Sequence, residues 1–316
     1  MAALTGHGNP DLDTEAEDLP LYARAEFGLA STVSAEPRMV SSGLHAAERR
    51  LGVTFASANS YINFDTTWSD KQAGWNKFAA EGRTLVVAWA PIRHSQSVLL
   101  SEVAAGRYAD HVDEVLSGIA EYPHRVVCRW AWEMNGDWAE YSAAYQGESK
   151  GCFDPSEYIQ AWRYVVDRSR ALRVSNLLWL FCPNGTDVGP YPMEQYWPGQ
   201  DYVDLVGADA YNGFAGWTSF HDLFAGPYRR LTQLKPATDF WVGETGCVES
   251  TTASHSKAEW AHSMFHERRL PRVRAVNYFD DYGSRDWRIH TSEESQAAFT
   301  AGFLLANQAQ VQGAPG

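Results

Sequence analysis

Eight short apolar runs, separated by longer amphipathic stretches, set the tightest limit on what this chain can fold into. The runs are Glu26–Ala30, Val53–Ala56, Thr84–Ala90, Arg125–Ala131, Asn176–Cys182, Tyr202–Ala210, Asp239–Glu244 and Val273–Phe279. Several are continuous Val, Leu and Trp, the pattern of parallel strands buried on both faces. Helical periodicity fills most of the intervals, at Val40–Leu51, Asp70–Glu81, Arg107–Tyr122, Pro155–Leu172, His221–Leu234 and Lys257–Arg269, and returns at Glu293–Gln308. The fourth of these opens on Asp154-Pro155-Ser156-Glu157, an N-cap with Pro at the first helical position and Glu at the third. Strict β–α alternation implies a parallel sheet with crossover helices, and eight units point to a single-domain (β/α)8 barrel. A doubly wound open sheet competes, but its G-x-G-x-x-G signature is missing after the first run. The barrel is expected over residues 21–309, with flexible ends at 1–20 and 310–316 that are poor in large apolar residues.

Composition narrows the function classes. Acids outnumber bases 39 to 26, for a net charge of −13, which repels phosphate backbones and argues against a nucleic-acid partner. No apolar run reaches the ~18–20 residues of a membrane span, and Met1–Leu19 lacks the build of a signal peptide. Ten His are scattered without metal-ligand spacing, so neither a metal nor a cofactor is expected. Four Cys do not make a disulfide scaffold; free, buried thiols are the expectation, with Cys128 and Cys182 in strand segments and Cys152 and Cys247 in loop-like sequence.

In a (β/α)8 barrel the chemistry gathers at the C-terminal ends of the strands. Those ends carry Asn59 and Tyr61, Trp89 and Pro91, Glu133, Asn184, Asp209 and Tyr211, Glu244, and Asp280 with Asp281. Two glutamates thus end separate strands, 111 positions apart. Side chains alternate faces along a strand. By that rule Arg129, Ala131 and Glu133 share one face, Phe240, Val242 and Glu244 another, and Gly207, Asp209 and Tyr211 a third. Two carboxyl groups converging on one cleft are what glycosidic-bond cleavage needs, one to protonate the leaving oxygen and one to attack. They must titrate differently. Arg129 and a hydroxyl such as that of Tyr211 are expected to keep one ionised, and a wall of Trp130, Trp132 and Trp138 to raise Glu133.

The local sequences are more specific. Arg129-Trp-Ala-Trp-Glu133-Met-Asn-Gly-Asp-Trp138 resembles the acid/base segment of glycoside hydrolase family 26, best known for endo-β-mannanases. Val206-Gly-Ala-Asp209-Ala-Tyr211-Asn resembles that family's strand-six segment, and Val242-Gly-Glu244-Thr-Gly246 its nucleophile segment. Tyr196-Trp-Pro-Gly-Gln-Asp-Tyr-Val-Asp-Leu-Val and Asp286-Trp287-Arg288 also have counterparts. The resemblance implies a retaining (β/α)8 endo-glycoside hydrolase with Glu133 as acid/base and Glu244 as nucleophile. It implies Tyr211 orienting Glu244, Arg129 and Asp209 forming an ionic network beneath the sugar, and Trp138 and Trp287 binding or supporting substrate; Trp132, beside Glu133, and Trp89, at a strand end, are further candidates from their positions. The family usually has His immediately before the acid/base Glu, where this chain has Trp132. β-Mannan is therefore the default substrate, with β-glucan, xylan or a bacterial wall or capsule polysaccharide as alternatives. A barrel that only binds carbohydrate is the rival class. The expected setting is a monomer acting outside the cell or on a virion or cell surface.

Other residues carry blander expectations. Trp75, Trp162 and Trp260 fall in helix patterns and read as core, whereas Trp197 and Trp217 join Trp89, Trp138 and Trp287 at strand ends or loops. His94 and His255 read as surface or loop residues, Asp137 and Glu140 as exposed loop acids, and Asp280 and Asp281 as a solvated pair.

Overall fold

The computed structural model describes residues 19–30, 40–214 and 216–313. Eight parallel strands close into one barrel: β1 Glu26–Ala30, β2 Ser57–Asn63, β3 Thr84–Ala90, β4 Val126–Trp130, β5 Leu177–Phe181, β6 Leu205–Asn212, β7 Phe240–Cys247 and β8 Val273–Phe279. Each strand pairs with its neighbours in sequence, and β8 closes on β1. The helices between them are α1 Val40–Leu51, α2 Trp68–Ala80, α3 Ala109–Glu121, α4 Pro155–Ala171, α5 Phe220–Leu234 and α6 Lys257–Phe265, with α7 Glu293–Gly313 after β8. Two 3-10 turns, Met193–Tyr196 and Gln200–Tyr202, stand between β5 and β6, where the sequence shows no helical run. The expected (β/α)8 barrel is therefore the fold.

Local chemistry starts the helices where expected. The Asp154 carboxylate accepts from the Ser156 N–H at 2.8 Å, and Pro155 sits in the first turn. Thr67 with Asp70, and Ser256 with Glu259, form capping boxes that open α2 and α6. Helix α7 continues to Gly313, beyond the limit of 309 read from the sequence, while residues 1–18 and 314–316 of the two ends lie outside the described residues. Among the described residues no helix is long and apolar enough to cross a membrane.

One strand lies elsewhere than expected. The apolar run Val53–Ala56 precedes the strand, and β2 itself is Ser57–Asn63. Its inward residues are polar because the barrel floor is polar. Ser57 Oγ donates to Asn277 Oδ1 at 2.9 Å, and Asn59 Nδ2 donates to the same oxygen at 3.1 Å. Gly28 faces this cluster, and a Cβ there would lie 2.0 Å from Ser57 Oγ. Beside this group Val86, Val127, Leu180, Leu205 and Trp241 fill the interior, and a larger apolar shell joins the outward strand faces to the helices. Trp75, Trp162 and Trp260 belong to that shell, as expected. All four cysteines are free and buried; Cys247 ends β7 and is not in a loop.

Candidate active site

The barrel mouth gathers Arg129, Asp209 and Glu244 into one buried ionic cluster. Arg129 and Asp209 are fully buried, and Glu244 is 5% exposed. The Arg129 Nη1 donates to both Asp209 oxygens, at 2.8 and 2.7 Å, while Nη2 donates to Glu244 Oε1. Tyr61 Oη also donates to Glu244 Oε1, at 2.7 Å, and Tyr211 Oη donates to Oε2 at 2.6 Å. Three donors and no acceptor surround the Glu244 carboxyl, the setting of an anion. Burial tends to push Asp209 up, and its Arg129 pair pulls against that. The Cys182 thiol, 3.1 Å from Asp209 Oδ1, completes the base of the cluster.

Strand alternation explains part of this arrangement. Gly207, Asp209 and Tyr211 do share the inner face of β6: a Cβ on Gly207 would meet the inward Leu180, and Val206, Ala208 and Ala210 belong to the outer shell. On β7 the expectation fails. Phe240 and Val242 pack outward, yet Glu244 points in. A register shift against β6, where Ala208 pairs with Val242 and Asp209 with Glu244, inserts an extra residue at Gly243 and turns the next side chain inward. A Cβ at Gly243 would lie 2.4 Å from Asp209 Oδ1 and 2.4 Å from Cys182 Sγ, so only glycine fits beside the cluster.

Glu133 is likewise not aimed by alternation. Strand β4 ends at Trp130, and Ala131 and Glu133 adopt left-handed φ values of 44° and 55°. Such conformations cost on the order of 1–3 kcal/mol each and persist where the surroundings hold them. Here the Ala131 N–H donates to Trp89 O at 2.9 Å, and the Glu133 N–H to Cys182 O at 2.9 Å. Asn135 ties the same turn to the β5 loop, accepting from Asn184 N at 2.8 Å and donating to Asp187 Oδ1 at 2.8 Å.

Glu133 has a carboxyl pushed well above its ordinary range, first by burial and then by the charges of Asp209 and Glu244. Of the expected tryptophan wall, Trp130 takes no part. Trp130 points outward to Tyr158 and Trp162, at ring distances of 5.8 and 6.2 Å, because it ends the outer face of β4. Trp138 acts in the opposite sense: its Nε1 donates to Glu133 Oε2 at 3.0 Å, which favours the anion. With 47% of its surface exposed, Trp138 stays about half open at the edge of the site. Trp132 lies half-buried between Tyr61 and Tyr141, with ring distances of 6.0 and 6.2 Å, and the Arg129 guanidinium sits 5.6 Å from its ring.

The other expected residues divide. Trp287 is 3% exposed and packs on Tyr211 at 5.0 Å, so it supports the site from behind. Trp89 lies outside it: the ring shares the outward face of β3 with Leu85 and Val87 and packs on Phe64 and His111. Trp197 packs on Phe181, and Trp217 stacks on His255 in a groove of about 1090 Å³ formed by the loops after β6, β7 and β8. Asp280 and Asp281 are not solvated. Asp280 pairs with Arg50 at 2.8 Å and accepts from Ile289 N at 2.7 Å, and Asp281 is 6% exposed. Tyr61 owes its contact with Glu244 to β2 lying at Ser57–Asn63 and not at Val53–Ala56: with Ser57 and Asn59 inward, Tyr61 follows. Asp137 is exposed, as expected. Among the described residues no group of three or more His, Cys, Asp or Glu is placed to hold a metal ion.

One carboxyl pushed up by burial and another held by three donors thus share the barrel mouth. The model of glycosyl hydrolase family 26 matches residues 55–273. Endoglucanase H of Acetivibrio thermocellus is 26% identical over 253 residues, covering 76% of this chain and 26% of that protein. Mannan endo-1,4-β-mannosidase A and B of Caldalkalibacillus mannanilyticus is 29% identical over 207 residues, covering 63% of this chain and 36% of that one. The chain thus spans well under half the length of these relatives. Bacillus subtilis mannanase man26 shares the fold, with a TM-score of 0.63 and 15% identity over 95% of this chain and 93% of that one.

Proposed function

The chain belongs to glycosyl hydrolase family 26, and from that premise we propose that it cleaves a β-linked polysaccharide internally, with retention, by double displacement. The observation that carries the mechanism is the unequal treatment of two carboxyls in one cleft: Glu133 raised by burial, Glu244 gripped by Arg129, Tyr61 and Tyr211. In the first step Glu133 gives its proton to the glycosidic oxygen while Glu244 attacks the anomeric carbon. The C–O bond to the leaving sugar breaks and a glycosyl ester forms. The ester removes the negative charge on Glu244 that helps raise Glu133, so Glu133 becomes a stronger acid and its anion persists to take a proton from water. That water attacks the anomeric carbon and frees Glu244. A retaining pair works at a separation of roughly 5–5.5 Å.

Asp209 holds Arg129 in place, Trp138 orients the acid, and Trp287 backs Tyr211. Residues 21–309 serve as the catalytic barrel, acting as a monomer on a polymer outside the cell. β-Mannan is the default substrate, since a relative is named for it. β-Glucan is the second reading, favoured by the relative named endoglucanase H and by Trp132 in place of the usual His.

The test is a panel of β-mannan, mixed-linkage β-glucan and β-xylan, read by product size and by the anomer first released. Wild type should yield mixed oligosaccharides of retained configuration, and Glu244→Gln and Glu133→Gln should each lose ~10²–10⁴-fold in kcat. Inverted product, or full activity in Glu244→Gln, refutes the mechanism.

A further inference from the structure

The bonds to Glu244 are unevenly divided between its two oxygens. A carboxylate offers about four acceptor sites, two per oxygen. Oε1 takes two donors, Arg129 Nη2 and Tyr61 Oη; Oε2 takes one, Tyr211 Oη. Oε1 is therefore saturated, and the remaining lone pair lies on Oε2. Without Tyr61 each oxygen would hold a single donor, Arg129 on Oε1 and Tyr211 on Oε2.

We infer that Tyr61 is a positioning residue for the proposed nucleophile: together with Arg129 it saturates Glu244 Oε1, leaving Oε2, on the Tyr211 side, as the oxygen that bonds to the sugar. This rests on the double-displacement reading above.

The surroundings of Tyr61 suit that task. It stands on β2, with β1 and β8 between it and β7 around the barrel, and reaches across the mouth. Its ring packs 6.0 Å from Trp132, whose backbone carbonyl accepts from Tyr141 Oη at 3.0 Å. Residue 132 adjoins Glu133, so one packed unit sets both carboxyls. Burial and the Glu244 charge push the Tyr61 hydroxyl well above its ordinary range, so it stays a donor across the working pH range.

Tyr61→Phe removes the donor and keeps the ring. The groups facing Glu244 are Arg129 and Glu133 from β4 and its loop, Asp209 and Tyr211 from β6, and Tyr61 itself. With the others unchanged, the acid limb of kcat/KM should move to higher pH, because a donor to the anion is gone. On whichever of the three polysaccharides wild type cleaves fastest, kcat should fall about ten- to hundredfold, the worth of a hydrogen bond to a charged group, with KM within about threefold of wild type. Wild-type kcat with an unmoved acid limb overturns the assignment. So does a fall in kcat with an unmoved acid limb and a lowered melting temperature, which marks a structural tie. A rise in KM with kcat unchanged also overturns it, since Tyr61 would then be binding sugar. If wild type cleaves none of the three, the double-displacement reading fails first, before any variant is compared.

Discussion

Replacing Arg129 with Met tests the ionic cluster through stability as well as rate. Arg129 and Asp209 are both fully buried and Glu244 nearly so, so the substitution leaves two largely buried carboxyls without their cation. Asp209 would retain only the Cys182 thiol at 3.1 Å, and Glu244 only Tyr61 and Tyr211. Removing one partner of a buried pair costs ~3–5 kcal/mol. At ~2 °C per kcal/mol for a chain of this size, the melting temperature should drop by about 6–10 °C. The loss has a definite pH dependence. Each orphaned carboxyl titrates higher in the folded variant than its unfolded value of about 4, so its penalty is absent below that pH and grows as pH rises through the folded value. Urea unfolding of wild type and Arg129→Met at pH 5 and pH 8 measures it, the gap being larger at pH 8. Adding Asp209→Asn should recover part of the pH 8 loss, because one orphaned charge disappears. A gap below about 1 kcal/mol at pH 8, or an equal gap at both pH values, would show that the cluster is not buried and paired as described.

Two further outcomes follow from the same geometry. Trp138→Phe removes the donor that favours the Glu133 anion, so the alkaline limb of the rate profile should move up by about one pH unit, ~1.4 kcal/mol of lost anion stabilisation; a downward move would contradict the bond seen at 3.0 Å. Burial pushes all four thiols up, Cys152 and Cys247 to about 12. A thiol reagent should find none of them quickly in the native protein and all four in urea, whereas fewer than four in urea would mean a disulfide.

What the sequence discloses and what it hides have separable physical causes. Continuous apolar strands such as Thr84–Ala90 and Val273–Phe279 are legible because both faces are buried, and their limits match the structure. β2 is hidden because its inner face, Ser57, Asn59 and Tyr61, belongs to a polar floor and a reactive mouth, and such a strand shows no apolar alternation. The two glutamates are legible as strand-end residues, but not the devices that aim them. A register shift turns Glu244 inward, and left-handed backbone at Ala131 and Glu133 sets the acid. Neither breaks a residue pattern that can be counted. Trp89 shows the opposite error: a strand-end position suggests the cleft, whereas sharing a face with Leu85 and Val87 sends the ring to the helices.

Gly243 carries a consequence beyond conformation. The volume a side chain would occupy at that position is filled by Asp209, Cys182 and the Arg129 guanidinium, with clearances of 2.4, 2.4 and 2.9 Å to a virtual Cβ. The ionic cluster of Arg129, Asp209 and Glu244 thus leaves no room for a side chain at the residue before Glu244. Any mutation there, however mild in polarity, evicts an ion-pair partner before it changes any chemistry. Directed evolution of specificity has freedom along the exposed loops. At position 243 it has none.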